Sequence, residues 1–254
     1  MEALAQPENK NLDGLVLQET ADIETSSEDY ARRFSGAVGA WFLKVQEEAT
    51  LQMLKPYPGA SVLDVGGGHG QITGPLLENG FEVTVLGSDE VCVQRVKTYL
   101  DHPAFRFRTG NVVALPYHDC HFDVVISYRL LPHVTQWERL LSELARVARY
   151  AVIVDYPEAF SFNLIAPQLF PFKKQLEGNT RPFTCFRRSQ LEQVFARAGF
   201  QVTDWYPEFF LPMVLHRKLN SVGISTRLEN FFRAVGGTRL FGSPVILKAV
   251  RQGG

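Results

Sequence analysis

Cysteine is scarce in this chain. Its three, Cys92, Cys120 and Cys185, are odd in number, far apart and without a CxxC pair. That excludes a disulfide scaffold and gives no support to a zinc site, so no metal is expected. No apolar run approaches the roughly 18 residues of a membrane span. The opening MEALAQPENK lacks the basic region and apolar core of a signal peptide. A reducing, cytoplasmic compartment is the expectation. An excess of either charge is missing as well. The 26 Lys+Arg and 27 Asp+Glu leave a formal charge of −1, which gives no global reason to expect nucleic acid as a partner. Internal repeats and low-complexity tracts are not found in the sequence.

The remaining composition is that of an ordinary globular protein: 254 residues, 45% hydrophobic and 21% charged, enough for one large α/β domain or two small ones. The near-zero charge hides unequal parts. Residues 1–30 hold eight acids against Lys10, a charge of −7, while the other 224 hold 25 bases against 19 acids, or +6. Residues 1–26 are acidic and aperiodic, which predicts a flexible arm ahead of a domain at 27–254.

After the arm, an apolar face of Trp41, Phe42, Val45, Ala49, Leu51 and Leu54 predicts a helix over about 39–54, ended by Pro56 and Pro58. Strand-like and helix-like segments then alternate. Strands are expected at 61–65, 82–86, 105–108, 122–127 and 151–155, with helices at about 71–78, 89–100 and 137–149 between them. Apolar strands alternating with helices predict a parallel sheet covered on both faces. A helix at 189–198, a strand at 201–206 and a last strand within 242–250 follow.

Leu63-Asp64-Val65-Gly66-Gly67-Gly68-His69-Gly70 ends the first strand and opens the first helix. Glycines there let the chain turn tightly and let a ligand approach the main chain, whose free N–H groups at a helix start then face it. A dinucleotide-type G-x-G-x-x-G starting at Gly66 needs glycine or alanine at Gln71, which argues against a nicotinamide-dependent oxidoreductase. The spacing D-x-G-x-G-x-G instead resembles the first motif of class I S-adenosylmethionine-dependent methyltransferases. Gly110-Asn111, Ala114-Leu115-Pro116-Tyr117, Phe122-Asp123-Val124-Val125, Leu130-Leu131-Pro132-His133-Val134 and Glu143-Leu-Ala-Arg-Val147 resemble the later motifs in the same order. The resemblance covers about residues 60–155, and the branch it suggests is that of quinone-biosynthesis-like and related small-molecule methyltransferases.

The resemblance implies a Rossmann-like α/β fold: a seven-stranded, mostly parallel sheet, helices on both faces, an antiparallel last strand and an aromatic-rich cap after the fifth strand. It implies S-adenosyl-L-methionine as cofactor, held at Asp64, Gly66, Gly67, Gly68 and Gly70. The family's ribose-binding acid falls on Gly87, so Ser88 or Asp89 is expected to substitute, although Asp89 is equally a helix cap. Asn111 and Val112 fall beside the adenine, and Tyr128 and His133 near the sulfonium. Arg33 and Phe34 are candidates to close over the cofactor. His133 is the candidate general base and Tyr128 a weaker one. His118 and His121 flank Asp119 and Cys120 in what reads as a polar turn, not a metal site.

Thirteen aromatics fall in residues 156–210, about twice the chain's 12% share. Segments 156–187 and about 210–240 are therefore expected to cap an acceptor pocket. The expected activity is C- or O-methylation of a small apolar or aromatic molecule, with no sequence feature asking for nucleic acid. The alternative is a non-catalytic cofactor-binding sensor or partner subunit, prompted by Gly87. Nothing in the sequence sets the oligomeric state.

Overall fold

A computed structural model describes residues 18–161 and 183–253. Three helices come first: α1 (Ala21–Thr25), α2 (Glu28–Arg32) and the long α3 (Gly36–Leu54). An alternating unit follows, made of β1 (Ser61–Val65), α4 (Thr73–Glu78), β2 (Glu82–Gly87), β3 (Phe105–Thr109), β4 (Phe122–Ser127), α5 (Trp137–Val147) and β5 (Ala148–Tyr156). Then come α6 (Arg188–Arg197), β6 (Phe200–Pro207), α7 (Met213–Leu219), α8 (Val222–Ala234), α9 (Gly237–Phe241) and β7 (Val245–Arg251).

The seven strands form one sheet in the order β3-β2-β1-β4-β5-β7-β6. Pairs from β3 through β5 are parallel, and β7 runs antiparallel between β5 and β6. The expected architecture is therefore present, with its antiparallel last strand inside the sheet. Alternate residues feed two cores, as the two-residue strand period requires. Leu63, Val65 and Val125 join Leu140, Leu141 and Leu144 of α5 on one face. Val62, Val124 and Ile126 join Met53 and Leu54 of α3 and Leu76 of α4 on the other. Each fully buried leucine of α5 contributes about 2 kcal/mol.

Two of the sequence motifs prove to be braces. The Glu143 carboxylate accepts the Leu115 N–H at 2.7 Å and pairs with Arg146, which also donates to the Leu115 and Tyr117 carbonyls. Arg146 thus ties the 115–121 loop to α5. Asp123 accepts from the Ser61 N–H and hydroxyl, both at 2.9 Å, so the start of β4 is locked to the start of β1.

Two expectations change. No helix spans 89–100; short 3-10 turns at Glu90–Val93 and Lys97–Tyr99 stand there. Residues 18–26, expected in the flexible arm, are ordered: Ala21, Asp22 and Thr25 of α1 are buried. The rest of that arm, 1–17, and the cap segment at 162–182 lie outside the described residues. Among the described residues no helix is long and apolar enough to cross a membrane, and no His/Cys/Asp/Glu group could hold a metal.

Candidate cofactor crevice and acceptor cavity

The strand order reverses between β1 and β4, and ligands of open α/β sheets bind at the carboxyl ends of strands beside such a switch point. Here that crevice is bounded by the glycine turn after β1, by Gly87 and Ser88 after β2, by Asn111 and Val112 after β3, and by residues 128–134 after β4. Gly66 sits at φ +76°, a left-handed conformation that costs side-chain-bearing residues roughly 1–2 kcal/mol. A Cβ at Gly87 would lie 2.6 Å from the Cys92 Cβ, so Cys92 leaves no room there for the family's acidic side chain.

The crevice has polar groups without partners. Asp64 is fully buried, and neither of its carboxylate oxygens has a hydrogen bond; the same holds for Ser88 Oγ and Thr73 Oγ1. Burial, with the Asp155 charge second, pushes the Asp64 carboxyl up to about 7. His69 is driven down to about 3 by burial and then by Arg129, so its imidazole is neutral; its Nδ1 accepts the Gln71 N–H at 3.2 Å. Unsatisfied buried oxygens around a glycine cradle fit a ligand with hydroxyl, amine and carboxylate groups, as S-adenosylmethionine has.

The remaining candidates separate. Asp89 is exposed and its carboxylate accepts the Val91 N–H at 2.9 Å, so it is a cap turned away from the crevice. Asn111 Oδ1 accepts the Val113 N–H at 3.0 Å, and Val112 is fully buried beside it. Phe34 is buried, but Arg33 is exposed and lies over the Tyr30 ring. Tyr128 is overturned as a catalytic candidate: its ring is fully buried in the α3-side core and its hydroxyl is 2.7 Å from Thr50 Oγ1. Burial raises that phenol well above its ordinary value.

Arg129, which no motif singled out, is a buried guanidinium of the site; Arg217, exposed, also lines the cavity. Arg129 lies over the Phe34 ring at 4.1 Å and donates to Gln71 Oε1 at 2.8 Å and Gln46 Oε1 at 3.2 Å. Its main chain stands at φ +59°, held by a 2.6 Å bond from its N–H to Asp155 Oδ1. Around it are Tyr30, Asp155 and Glu208, all raised by burial and partly offset by Arg129; Glu208 rises to about 8.

Next to this cluster a cavity of about 370 Å³ is lined by Tyr30, Arg129, His133, Tyr156, Phe183 and Met213, among others. His133 stacks edge-on with Phe183, ring centroids 5.6 Å apart. His216 is fully buried and 2.9 Å from Glu229, whose carboxylate also accepts the Phe210 and Leu211 N–H groups. The rings of His118 and His121 meet each other on the exposed turn.

A family described as "Methyltransferase domain" matches residues 63–152. A probable S-adenosylmethionine-dependent methyltransferase of Mycolicibacterium smegmatis is 26% identical over 58% of this chain, which spans 54% of that relative. A demethylmenaquinone methyltransferase of Beutenbergia cavernae is 24% identical over 91% of each chain. Among solved structures, magnesium protoporphyrin IX methyltransferase of Synechocystis PCC 6803 with bound S-adenosylhomocysteine superposes with a TM-score of 0.62 at 17% identity, over 88% of this chain and 93% of that one. The sheet order and the motif order are those of a class I, Rossmann-like methyltransferase fold. Over residues 63–152 the chain is similar to S-adenosylmethionine-dependent methyltransferases, and a demethylmenaquinone methyltransferase is among its relatives.

Proposed function

We propose that this chain methylates a small, largely apolar or aromatic molecule, at carbon or oxygen, in the cavity beside Arg129. The observation that carries the reading is that cavity: about 370 Å³, at the low end of small-molecule sites, lined by Tyr30, Tyr156, Phe183, Met213 and several prolines together with the charged Arg129, Asp155, Glu158 and Arg217. The names of two relatives, a demethylmenaquinone and a protoporphyrin methyltransferase, are consistent with a ring-bearing acceptor.

In this reading Asp64, Gly66, Gly67, Gly68 and Gly70 hold the methionine part of the cofactor, Ser88 faces the ribose, and Asn111 and Val112 flank the adenine. The bound cofactor supplies a methyl group on a sulfonium, and the chain's own residues align the acceptor and keep water out. His133, on the cavity wall, is the group to receive a proton from the acceptor. Arg129 balances Asp155 and Glu208, so an anionic acceptor meets one buried cation. Residues of α7 and the described residues 157–161 and 183–185 cover the cavity.

Incubation with methyl-labelled S-adenosylmethionine and a panel of quinols, catechols and aliphatic acids tests this. Label on a ring-bearing small molecule is expected; label only on protein or nucleic acid overturns the substrate class. Saturable cofactor binding with no turnover on any acceptor supports the sensor reading instead, which the presence of α1 over the glycine turn favours.

A further inference from the structure

Residues 18–28 do not run along the outside of the domain. They enter the crevice between the glycine turn and the end of β2. Ala21, 2% exposed, joins the apolar cluster that contains Val65, Leu86, Val112 and Leu130. A Cβ on Gly66 would stand 2.9 Å from Leu130 Cδ2 and 3.5 Å from the Asp22 Cβ, and Ser26 Oγ lies 2.4 Å from the corresponding point on Gly68, beside the Cys92 carbonyl. Asp22 and Ser26 thus lie against the glycine turn.

Long-range hydrogen bonds hold the segment there. Asp22 Oδ2 accepts the Ser88 N–H at 2.6 Å and faces Cys92 Sγ at 3.4 Å. Gln18 Nε2 donates to the Ser88 carbonyl at 2.9 Å, so both main-chain groups of Ser88 are taken. Glu19 Oε1 accepts the N–H groups of Thr135 and Gln136, each at 3.0 Å. Glu28 pairs with Arg95, which also donates to the His69 carbonyl.

The closed arrangement is nonetheless easy to open. A helix of five residues is too short to persist without tertiary contacts, and α1 has no side-chain N-cap bond. Its burial leaves Asp22 Oδ1 and Ser88 Oγ without partners, which costs free energy that an open state recovers from water.

We propose that α1 is a built-in occupant of the cofactor crevice, which S-adenosylmethionine displaces on binding. The inference rests on the reading that this crevice is the cofactor site. A carboxylate on the Ser88 N–H and an alanine in the apolar wall occupy the ground that a ribose and an adenine need. Apparent affinity is then the intrinsic affinity reduced by the fraction of molecules in which α1 is out.

Calorimetric titration of the full chain with S-adenosylhomocysteine tests this through the sign of the change. Asp22→Ala removes the acceptor on Ser88, and Ala21→Glu places a charge in the apolar wall; each is expected to tighten binding about tenfold or more, since a hydrogen bond to a charged group is worth that much. Hydrogen exchange at residues 20–26 is expected to speed up when S-adenosylhomocysteine is added to the unmodified chain. Weaker or unchanged binding in Asp22→Ala overturns the proposal, weaker binding making Asp22 a cofactor ligand. Protection of residues 20–26 by the ligand overturns it too, making α1 a cover. If the unmodified chain and both variants show no saturable binding, the cofactor-site reading fails and takes this inference with it.

Discussion

The two halves of the groove along the strand ends are made of different material. The cofactor half is main chain: a glycine turn, the Ser88 peptide groups and the start of the Asn111 turn, above an Asp64 that touches no donor. The acceptor half is side chain, drawn from α2, the loop after β4, the end of β5, residues 157–161 and 183–185, and α7, with charge centred on Arg129. Recognition by main chain needs glycine at fixed spacings; recognition by side chains can be met by many sequences.

If one cation balances the acceptor half, Arg129→Met has the largest effect. It leaves the buried Asp155 carboxylate, and the ionised share of Glu208, without a counter-charge, a loss of about 3–5 kcal/mol in urea unfolding at about pH 8. At about pH 6 Glu208 holds its proton and the loss shrinks. Equal losses at the two values would break the contrast.

His133→Ala comes next. As the proton acceptor of the acceptor half it should lower kcat about 100-fold while leaving S-adenosylhomocysteine affinity within about twofold. A large fall in cofactor affinity would move His133 to the other half.

Asp64 sharpens the contrast through pH. Its carboxyl is near 7 in the folded protein against an ordinary 3.8, so the folded state holds an extra proton. The stability this confers is complete below about pH 4 and is lost as pH rises through about 7, at no more than about 1.4 kcal/mol per unit. Glu208, raised to about 8, extends the decline upward. Asp64→Asn should remove its share of the slope between about pH 4 and 7, and Glu208→Gln its share between about pH 4.5 and 8, as read in unfolding curves at successive pH values. Slopes unchanged by both would show that neither carboxyl is raised.

The smallest effect is expected at Asp89. Its carboxylate caps the Glu90–Val93 turn, so Asp89→Ala should cost about 1 kcal/mol of stability and leave cofactor affinity as it was. A tenfold loss of affinity would return Asp89 to the ribose.

The same contrast explains what could be read beforehand. The strand-helix alternation and the glycine turn after β1 follow from apolar periodicity and glycine spacing, which are local signals. Arg129 carried no local signal, because its importance comes from Asp155, 26 residues later, and from Phe34, far earlier. Arg33 looked suitable by residue type, but it follows the buried Tyr30 by three positions and its guanidinium turns back over that ring. Tyr128 has the right place in the motif, yet the strand period sends its side chain to the α3 face. Residues 18–26 looked unstructured because their partners, Ser88 and Thr135, are 66 residues away or more.

The position of β7 has a consequence for how the chain is made. Among the described residues, strand β6 pairs only with β7, and β5 has its second neighbour only in β7. Until residues 245–251 have left the ribosome, a growing chain exposes the edge of β5 and has no partner for β6. Such unpaired edges invite association with other chains. The β5-β7-β6 part of the sheet therefore closes only once β7 is available, through contacts far apart in sequence, and a chain lacking β7 should aggregate, not fold.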